Sequence, residues 1–595
     1  RRFDVFATLK RELSPGADVW LVGRAEPGLA GVRDMQVDEH YLLEDERWPI
    51  HVARIVPIYP LTEGLSQRFL RELVHHALQE AASEVEERLP PALVSKRALL
   101  APAQALRGIH FPGSWNELEA ARSRLAYEEL LLLELAWIVK RRQTRDLVKN
   151  FQYEIKRELL TPFREQLGFE LTGAQKRVVN EIFSDMQKPY PMTRLLQGDV
   201  GSGKTVVALA SLLLAVENGY QAVLMAPTEI LAEQHAATIA RFLKNLPVRC
   251  ATMSSRLSKK EREEIIGKIR RGELDIVIGT HALLEEDVSF PRLKLAVIDE
   301  QHRFGVRQRS TLRQKSSLLD LLIMTATPIP RTLALALYGD LEVSTIDEMP
   351  PGKTAISTFA TAEDEAFSAV REEVKRGRQA YIVYPIIEES SRLDLQSAKS
   401  EHARLREEVF AGLRVGLIHG QLAGKAKAKV MKEFAKGDWD ILVATQVIEV
   451  GIDVPNATVM VIQNADRFGL SSLHQLRGRI GRGSAASRCY LVADAKTPEA
   501  RTRIETLVSS QDGFRIAEED LKLRGAGELM GTAQHGELAL KVADLFKDAA
   551  LLAQAREDAE QLIAQDPKLL QSEHGGLRDK LIEEYQKKWN WIDLA

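Results

Sequence analysis

The run Gly198-Asp199-Val200-Gly201-Ser202-Gly203-Lys204-Thr205 has the spacing G-x-x-x-x-G-K-[ST]. It follows the apolar run RLLQ and opens the helical run VVALASLLLAV. The chemistry this suits is phosphate binding. Gly198, Gly201 and Gly203 let backbone N–H groups close around phosphate oxygens, and the start of the helix adds partial positive charge. Lys204 would reach the β- and γ-phosphates of a nucleoside triphosphate, and Thr205 would offer its hydroxyl to Mg²⁺. A glycine-rich turn can match by chance. A strand before and a helix after make that the weaker reading.

A second cluster, Val297-Ile298-Asp299-Glu300-Gln301-His302, ends another apolar run. Asp299 can hold the water shell of the metal, and Glu300 can orient and polarise the attacking water. Acidic pairs also cap ordinary surface turns, so this one takes its meaning from the phosphate loop. His302 reads either as a core histidine or as a coupling residue, and the coupling role is expected. A third cluster is Gln475-Leu476-Arg477-Gly478-Arg479-Ile480-Gly481-Arg482, in which Gln475, Arg479 and Arg482 are the candidate catalytic residues. Arg479 and Arg482 stand three apart, which on a helix puts them on one face. Arginine suits bidentate phosphate contact and stabilises charge in phosphoryl transfer. The bland alternative is a solvated basic face. Gly478 and Gly481 speak against it, because helix interiors disfavour glycine unless something approaches closely.

These residues need a scaffold, and the sequence around them supplies one. RLLQGDV, AVLMAP, DIVIGT, LAVIDE and LLIMTAT are short buried-strand runs, each followed by helical sequence. That alternation predicts a doubly wound parallel α/β sheet over residues 151–346. DEMPPGKTAIST, residues 347–358, reads as a linker. The alternation then restarts with AYIVYPII, VGLIHG, DILVAT, ATVMVIQNA and CYLVAD, giving a second lobe at 347–500. Residues 1–60 read as about three or four strands, in FDVFATL, DVWLVGRA and MQVDEHYLL. Residues 61–150 read as helices from their apolar spacing. Residues 501–595 read as charged helices around the glycine-rich RGAGELMGTAQHG. A phosphate loop on one lobe and arginines on the other make a triphosphate site at their interface. Its closing and reopening would drive a motor.

The composition agrees. The chain has 595 residues, 45% hydrophobic and 28% charged, with net charge 81 − 84 = −3. This excludes a wholly disordered protein and predicts roughly three to five domains. The two cysteines, Cys250 and Cys489, cannot build a disulfide framework or a four-thiolate zinc site. They predict a reducing, intracellular compartment. The apolar run from Leu130 to Val139 contains Glu134 and is too short to cross a bilayer. The start at Arg1-Arg2-Phe3 has no signal-peptide pattern. Near-zero charge excludes a protein that is basic all over, but not one with a basic groove.

The motif series resembles that of superfamily 2 helicases. LTGAQKR, APTEILAEQH, GTHALL, DEQHRFGV, MTATPIPRTLALALYGDL, VGLIHGQL, VATQVIEVGIDVPNA and HQLRGRIGRG follow in family order. The resemblance implies two RecA-like lobes with ATP and Mg²⁺ as cofactors and Gln175 on the adenine. It implies Thr228, Thr280 and Thr445 on loops facing a nucleic-acid backbone, read through phosphate rather than bases. Each of these threonines could equally cap a helix. Thr325, Thr327, Gly451 and Asp453 are implied links between hydrolysis and lobe movement.

IYPLTEGLSQRFLREL, DEQHRFGVRQR, NADRFGLSSLHQLRGRIGRG and DGFRIAEEDLKLRGAGELMGTAQHG are similar to the bacterial RecG family, over about residues 50–565. That resemblance implies an ATP-dependent DNA helicase. Such a motor moves on double-stranded DNA and remodels stalled replication forks and Holliday junctions in recombination and repair. It implies a cytoplasmic, nucleoid-associated monomer, and by resemblance alone it admits single-strand-binding protein as a partner. It also implies an N-terminal OB-fold wedge, a helical linker, and a helical hairpin with a loop that couples turnover to DNA movement. Arg503 and Arg524 match the hairpin arginines, and Gln534 matches the loop glutamine. Composition alone would make this segment a plain helical cap.

The family's wedge has strands before RRFDVF, which are not in this sequence. Residues 1–60 are therefore expected to form a partial OB fold, with its branch-point residues unassigned. Trp20, Tyr41 and Phe6 could stack on bases, although packing in the barrel core is the better reading. Packing is also the better reading for Trp589 and Trp591. Two alternatives stay open. A transcription-repair coupling translocase shares the coupling segment but needs a polymerase-binding domain and a longer chain. A hydrolysis-silent, nucleotide-dependent DNA-binding module would not need Lys204, Asp299, Glu300, Arg479 and Arg482.

Overall fold

The computed structural model describes residues 15–27, 33–43, 48–254, 257–299, 318–326, 334, 339, 341–351, 355–385, 400–422, 424–445, 454–481, 483, 485–533 and 540–585. They belong to two compact units: Arg1–Ile138 with Ala539–Ala595, and Val139–Leu538.

In the first unit, β1 (Val19–Pro27) pairs antiparallel with β2 (Arg33–Leu42), with a bulge between Val22 and Gly23. A Cβ at Gly23 would stand 2.0 Å from the Gln36 carbonyl oxygen, so only glycine fits the bulge. The expected strand FDVFATL, with Phe6, lies outside the described residues. Tyr41 is buried and stacks on His51 with ring centres 5.1 Å apart. Trp20 is 39% exposed, so the packing reading fits Tyr41 and not Trp20.

Helices follow at Gln67–Ala81, Pro91–Lys96, Pro102–His110 and Trp115–Arg145. Ser66 caps the first by accepting from Phe69 N, and proline opens the next two, where its missing N–H costs nothing. The run predicted to be too short for a membrane is the core of the long helix. Leu130, Leu131, Leu133 and Leu135 are all fully buried. Among the described residues no helix is long and apolar enough to cross a membrane.

Two C-terminal helices, Ala549–Gln565 and Gly575–Tyr585, belong to this same unit; both bury apolar side chains, such as Leu552 and Leu577, and charged contacts join them to it. Asp558 accepts from Lys96 Nζ at 2.7 Å, Arg97 Nε at 2.8 Å and the Tyr127 hydroxyl at 2.6 Å. Arg122 grips Asp548 in a fork, and Glu128 pairs with Arg124 and Lys580. The Glu129 carboxylate collects three successive backbone N–H groups, from Lys541 at 2.5 Å, Val542 at 3.0 Å and Ala543 at 2.9 Å.

The second unit contains two parallel sheets. In chain order the first has β3 (Thr193–Gly198), β4 (Gln221–Met225), β5 (Cys250–Met253), β6 (Ile276–Gly279), β7 (Leu293–Asp299), β8 (Asp320–Thr325) and β9 (Glu342–Ile346). Across the sheet they run β5-β6-β4-β7-β8-β3-β9. Its central strands are buried on both faces: Leu196, Leu224 and Ile278 pack on one side, Leu195, Val223 and Val277 on the other. That is why they read as unbroken apolar runs. The helix Lys204–Glu217 is apolar nearly all round because it is buried nearly all round.

The second sheet contains β10 (Ile356–Ala360), β11 (Gln379–Tyr384), β12 (Val415–Ile418), β13 (Ile441–Thr445), β14 (Ala457–Ile462) and β15 (Ser487–Leu491), in the order β10-β15-β14-β11-β13-β12. The expected linker 347–358 is therefore too long. Its last three residues, Ile356 to Thr358, lie in β10, paired in parallel with β15. Ile356 and Thr358 point inward while their neighbours are exposed, an alternation masked by the prolines before it. Beyond β15 the helices Pro498–Ser509 and Gly513–Ala533 pack against each other as a hairpin. The fold is thus two RecA-like α/β lobes with an N-terminal β element, a helical segment and C-terminal helices.

Candidate functional site

The phosphate loop joins β3 to the helix Lys204–Glu217, as the motif requires. Gly201 and Gly203 adopt φ of 79° and 89°, which side chains with a Cβ rarely adopt. Among the described residues no side chain caps the helix N-terminus at Gly203, and the fully buried Ser202 hydroxyl has no hydrogen-bond partner. A helix N-terminus without a side-chain cap and an unmatched hydroxyl around a glycine cradle fit an anion. Lys204 Nζ donates to the carbonyls of Gly198 at 2.7 Å and Asp199 at 2.9 Å.

Gln175 closes one side of the cradle. Its helix, Gly173–Met186, starts with a capping box in which Thr172 and Gln175 exchange hydrogen bonds. Gln175 Nε2 also donates to Ser202 O at 2.8 Å, and a Cβ at Gly203 would collide with it. Glu348, beyond β9, accepts from Ala174 N at 2.9 Å at the positive end of that helix. The segment leading to the second lobe therefore holds the Gln175 helix.

Strand order brings the acidic residue in. In β7-β8-β3, Asp299 pairs with Met324, and Thr325 pairs with Gln197, one residue before Gly198. All three strands present their C-terminal ends, where open α/β sheets bind ligands. Thr205 and Asp299 are the described residues that could hold Mg²⁺. His235 Nε2 lies 2.7 Å from Asp299 Oδ2 and fixes that carboxylate.

The second lobe meets this loop directly. Its helix Leu470–Arg477 carries His474 and Gln475. His474 Nε2 is 2.6 Å from Asp199 Oδ1 in the phosphate loop. A Cβ at Gly478 would stand 2.9 Å from Val200 Cγ1, so this glycine permits the close approach its sequence context suggested. One expectation is corrected. Arg479 does not lie on the helix it was expected to share with Arg482, because that helix ends at Arg477 with Gly478 as its C-cap, and Gly481 has φ of 73°. Glycine in these positions stops the helix rather than interrupting it. Arg479 lies in the turn beyond, partly buried.

Other candidates are more dispersed. Thr228 caps the helix Glu229–Phe242, accepting weakly from Leu231 N at 3.4 Å. Thr280 and Thr445 are buried at the ends of β6 and β13. Arg503 donates to Phe468 O at 2.8 Å and so ties the hairpin to the second lobe. Arg524 lies on the helix Gly513–Ala533. Glu300, His302, Thr327, Gly451, Asp453, Arg482 and Gln534 lie outside the described residues.

Sequence reasoning assigned no role to Asp199, His235, Glu348, His474 or Gly513. His235 and His474 sat inside quoted motifs, APTEILAEQH and HQLRGRIGRG. Asp199 occupies a variable position of the phosphate-loop pattern, and Gly513 has no local signature.

Residues 172–336 match the DEAD/DEAH box helicase family, 365–484 the helicase conserved C-terminal domain, and 510–595 the C-terminal part of domain 3 of the ATP-dependent DNA helicase RecG. The chain is 43% identical over 579 residues to the ATP-dependent DNA helicase RecG of Bacillus subtilis, covering 97% of this chain and 84% of that protein. It is 48% identical over 541 residues to the protein of that name from Synechocystis, covering 90% of this chain and 64% of the relative. A solved RecG structure bound to a three-way DNA junction superposes with a TM-score of 0.69 at 43% identity, covering 92% of this chain and 72% of that one. The chain spans just under two-thirds of the Synechocystis and Thermotoga maritima relatives, 64% and 66%.

Proposed function

Because the chain belongs to the RecG family of ATP-dependent DNA helicases, we propose that it is an ATP-driven motor on double-stranded DNA that unwinds branched substrates. Its substrates in this reading are stalled replication forks, which it reverses, and Holliday junctions. The observation that carries it is the apposition of the phosphate loop and the second lobe's glycine-arginine segment, with His474 on Asp199 and Gly478 on Val200. A triphosphate in that cleft would touch both lobes, so its cleavage would change how they fit together.

In this reading Lys204 and the loop amides hold the phosphates, Gln175 holds the adenine side, and Thr205 and Asp299 hold Mg²⁺. The metal would neutralise charge developing on the transferred phosphoryl group. His235 keeps the Asp299 carboxylate aimed, and Glu300 orients the water. Arg479 and Arg482 would stabilise the transition state, with Gln475 beside them. Thr228, Thr280 and Thr445 would line the DNA path. Thr325, Thr327, His302, Gly451 and Asp453 would carry the change between lobes, and Arg503, Arg524 and Gln534 would carry it to the duplex. The protein would work as a monomer in the bacterial cytoplasm at the nucleoid, with single-strand-binding protein as a further partner.

Steady-state ATP hydrolysis with and without forked DNA tests this. Forked DNA should stimulate turnover severalfold, and chelation of Mg²⁺ should abolish it. Hydrolysis indifferent to DNA would sink the motor, and DNA binding without hydrolysis would favour a silent binding module. DNA affinity should also fall steeply with salt, because phosphate contacts release counterions.

A further inference from the structure

The phosphate loop is fastened to the coupling hairpin through one carboxylate. Asp199 Oδ1 receives His474 Nε2 at 2.6 Å and Val200 N at 2.6 Å, and Asp199 Oδ2 receives Gly513 N at 3.2 Å. Gly513 is the first residue of the hairpin's second helix, so its N–H belongs to the positive end of that helix. The polarity of the chain of bonds can be worked out. Arg477 lies 2.9 Å from His474 Nδ1 and can only donate. Nδ1 therefore accepts, Nε2 carries the proton, and His474 donates to Asp199.

Arg477 is buried, and its other guanidinium nitrogen donates to Leu507 O and Ser510 O, both at 2.8 Å. Those two carbonyls belong to the end of the hairpin's first helix and the turn after it. The bonds therefore close a ring: phosphate loop, second-lobe helix, hairpin turn, hairpin helix, phosphate loop.

Two glycines make the ring tight. A Cβ at Gly513 would lie 2.6 Å from Asp199 Cγ and 2.7 Å from both carboxylate oxygens. A Cβ at Gly478 would lie 2.9 Å from Val200. The backbone of Asp199 is itself in the grip of Lys204, which donates to its carbonyl.

We propose that Asp199 is a positioning residue through which the phosphate loop sets the coupling hairpin directly. This rests on the motor reading above. A triphosphate needs the Lys204 ammonium, and taking it removes one donor from the Asp199 carbonyl, which keeps Ser202 N at 3.1 Å. It also brings negative charge to a loop that already holds a carboxylate. Both effects act on the residue whose side chain fixes His474 and Gly513, so occupancy of the loop is felt at the root of the hairpin helix.

The test measures base pairs of forked DNA unwound per ATP hydrolysed, alongside DNA-free ATPase and the thermal midpoint. Gly513→Ala displaces the carboxylate and leaves the phosphate-binding groups intact. It should lower unwinding per ATP by roughly tenfold, the scale of one lost hydrogen bond to a charged group, with DNA-free ATPase held within about twofold. Asp199→Asn, which keeps one acceptor, should retain more of that ratio than Asp199→Ala. This pair decides the matter if Gly513→Ala does not fold.

A parental ratio in Gly513→Ala overturns the proposal. So does a proportional loss of hydrolysis and unwinding, or equal ratios for Asp199→Asn and Asp199→Ala. A parent protein whose ATPase ignores DNA overturns the motor reading, and the proposal with it. A working parent with unaffected variants overturns the proposal alone.

Discussion

Two buried aspartates do opposite work. Asp558, in the first unit, is met by two cationic side chains and a phenol. Asp199, in the second, is met by an imidazole N–H and backbone amides. The first arrangement matches opposite charges around a buried carboxylate, and removing its cationic partners would strand that charge. The second gives a carboxylate dipolar partners, which can be exchanged as a nucleotide enters. In the proposed motor the C-terminal helices would stay attached, whereas the contact between the lobes would be remade. Burial alone does not separate the two cases. The nature of the donors does.

The sharpest way to test this contrast is at Lys204. Lys204→Ala should cut ATP turnover at least about a hundredfold, as when one transition-state donor is deleted. The melting temperature should be that of the parent. A large stability loss in this variant would mean that the loop, too, is structural glue. Asp558→Ala should do the reverse. It should lower the unfolding free energy by about 3 kcal/mol in denaturant titrations, with ATPase per folded molecule unchanged.

Acid should weaken the Asp558 clamp selectively. Burial pushes this carboxyl up, but the hydrogen bonds from Arg97, Lys96 and Tyr127 outweigh it and hold the group below its usual range. A depressed native value means the stabilisation is present above the unfolded carboxylate value of about 4 and is lost as pH falls through the native one. Denaturation midpoints followed from about pH 6 to pH 3 should drop in the parent and drop less in Asp558→Asn. The smallest effect is expected at Glu342. Its bond to Arg145, 2.9 Å long, joins two half-exposed side chains. Glu342→Gln should change stability by less than about 0.5 kcal/mol. A larger loss would show that pairing, rather than buried pairing, is what holds this protein.

The parts legible in the sequence are the parts that are local. Central strands show as apolar runs because both faces are covered. β5, β9 and β10 escaped notice, and all three are edge strands. An edge strand is short and half exposed, so it offers alternation over only a few residues. The phosphate loop is contiguous and was found whole. The partners of Asp199 outside the loop lie 275 and 314 residues away and had no spacing to betray them. Gly478 was read correctly as a close approach but placed inside a helix that in fact ends there. Nothing in the local pattern says whether a glycine interrupts a helix or closes it.

Glu129 has a consequence for which sequence changes the protein can absorb. It recognises residues 541–543 only by their main-chain N–H groups, so it is indifferent to which amino acids stand there. As far as this clamp is concerned, side chains there can vary between relatives; burial still favours a small residue at Ala543. Proline at 541, 542 or 543 would delete a donor, and it is the substitution that natural variation at this docking point should avoid.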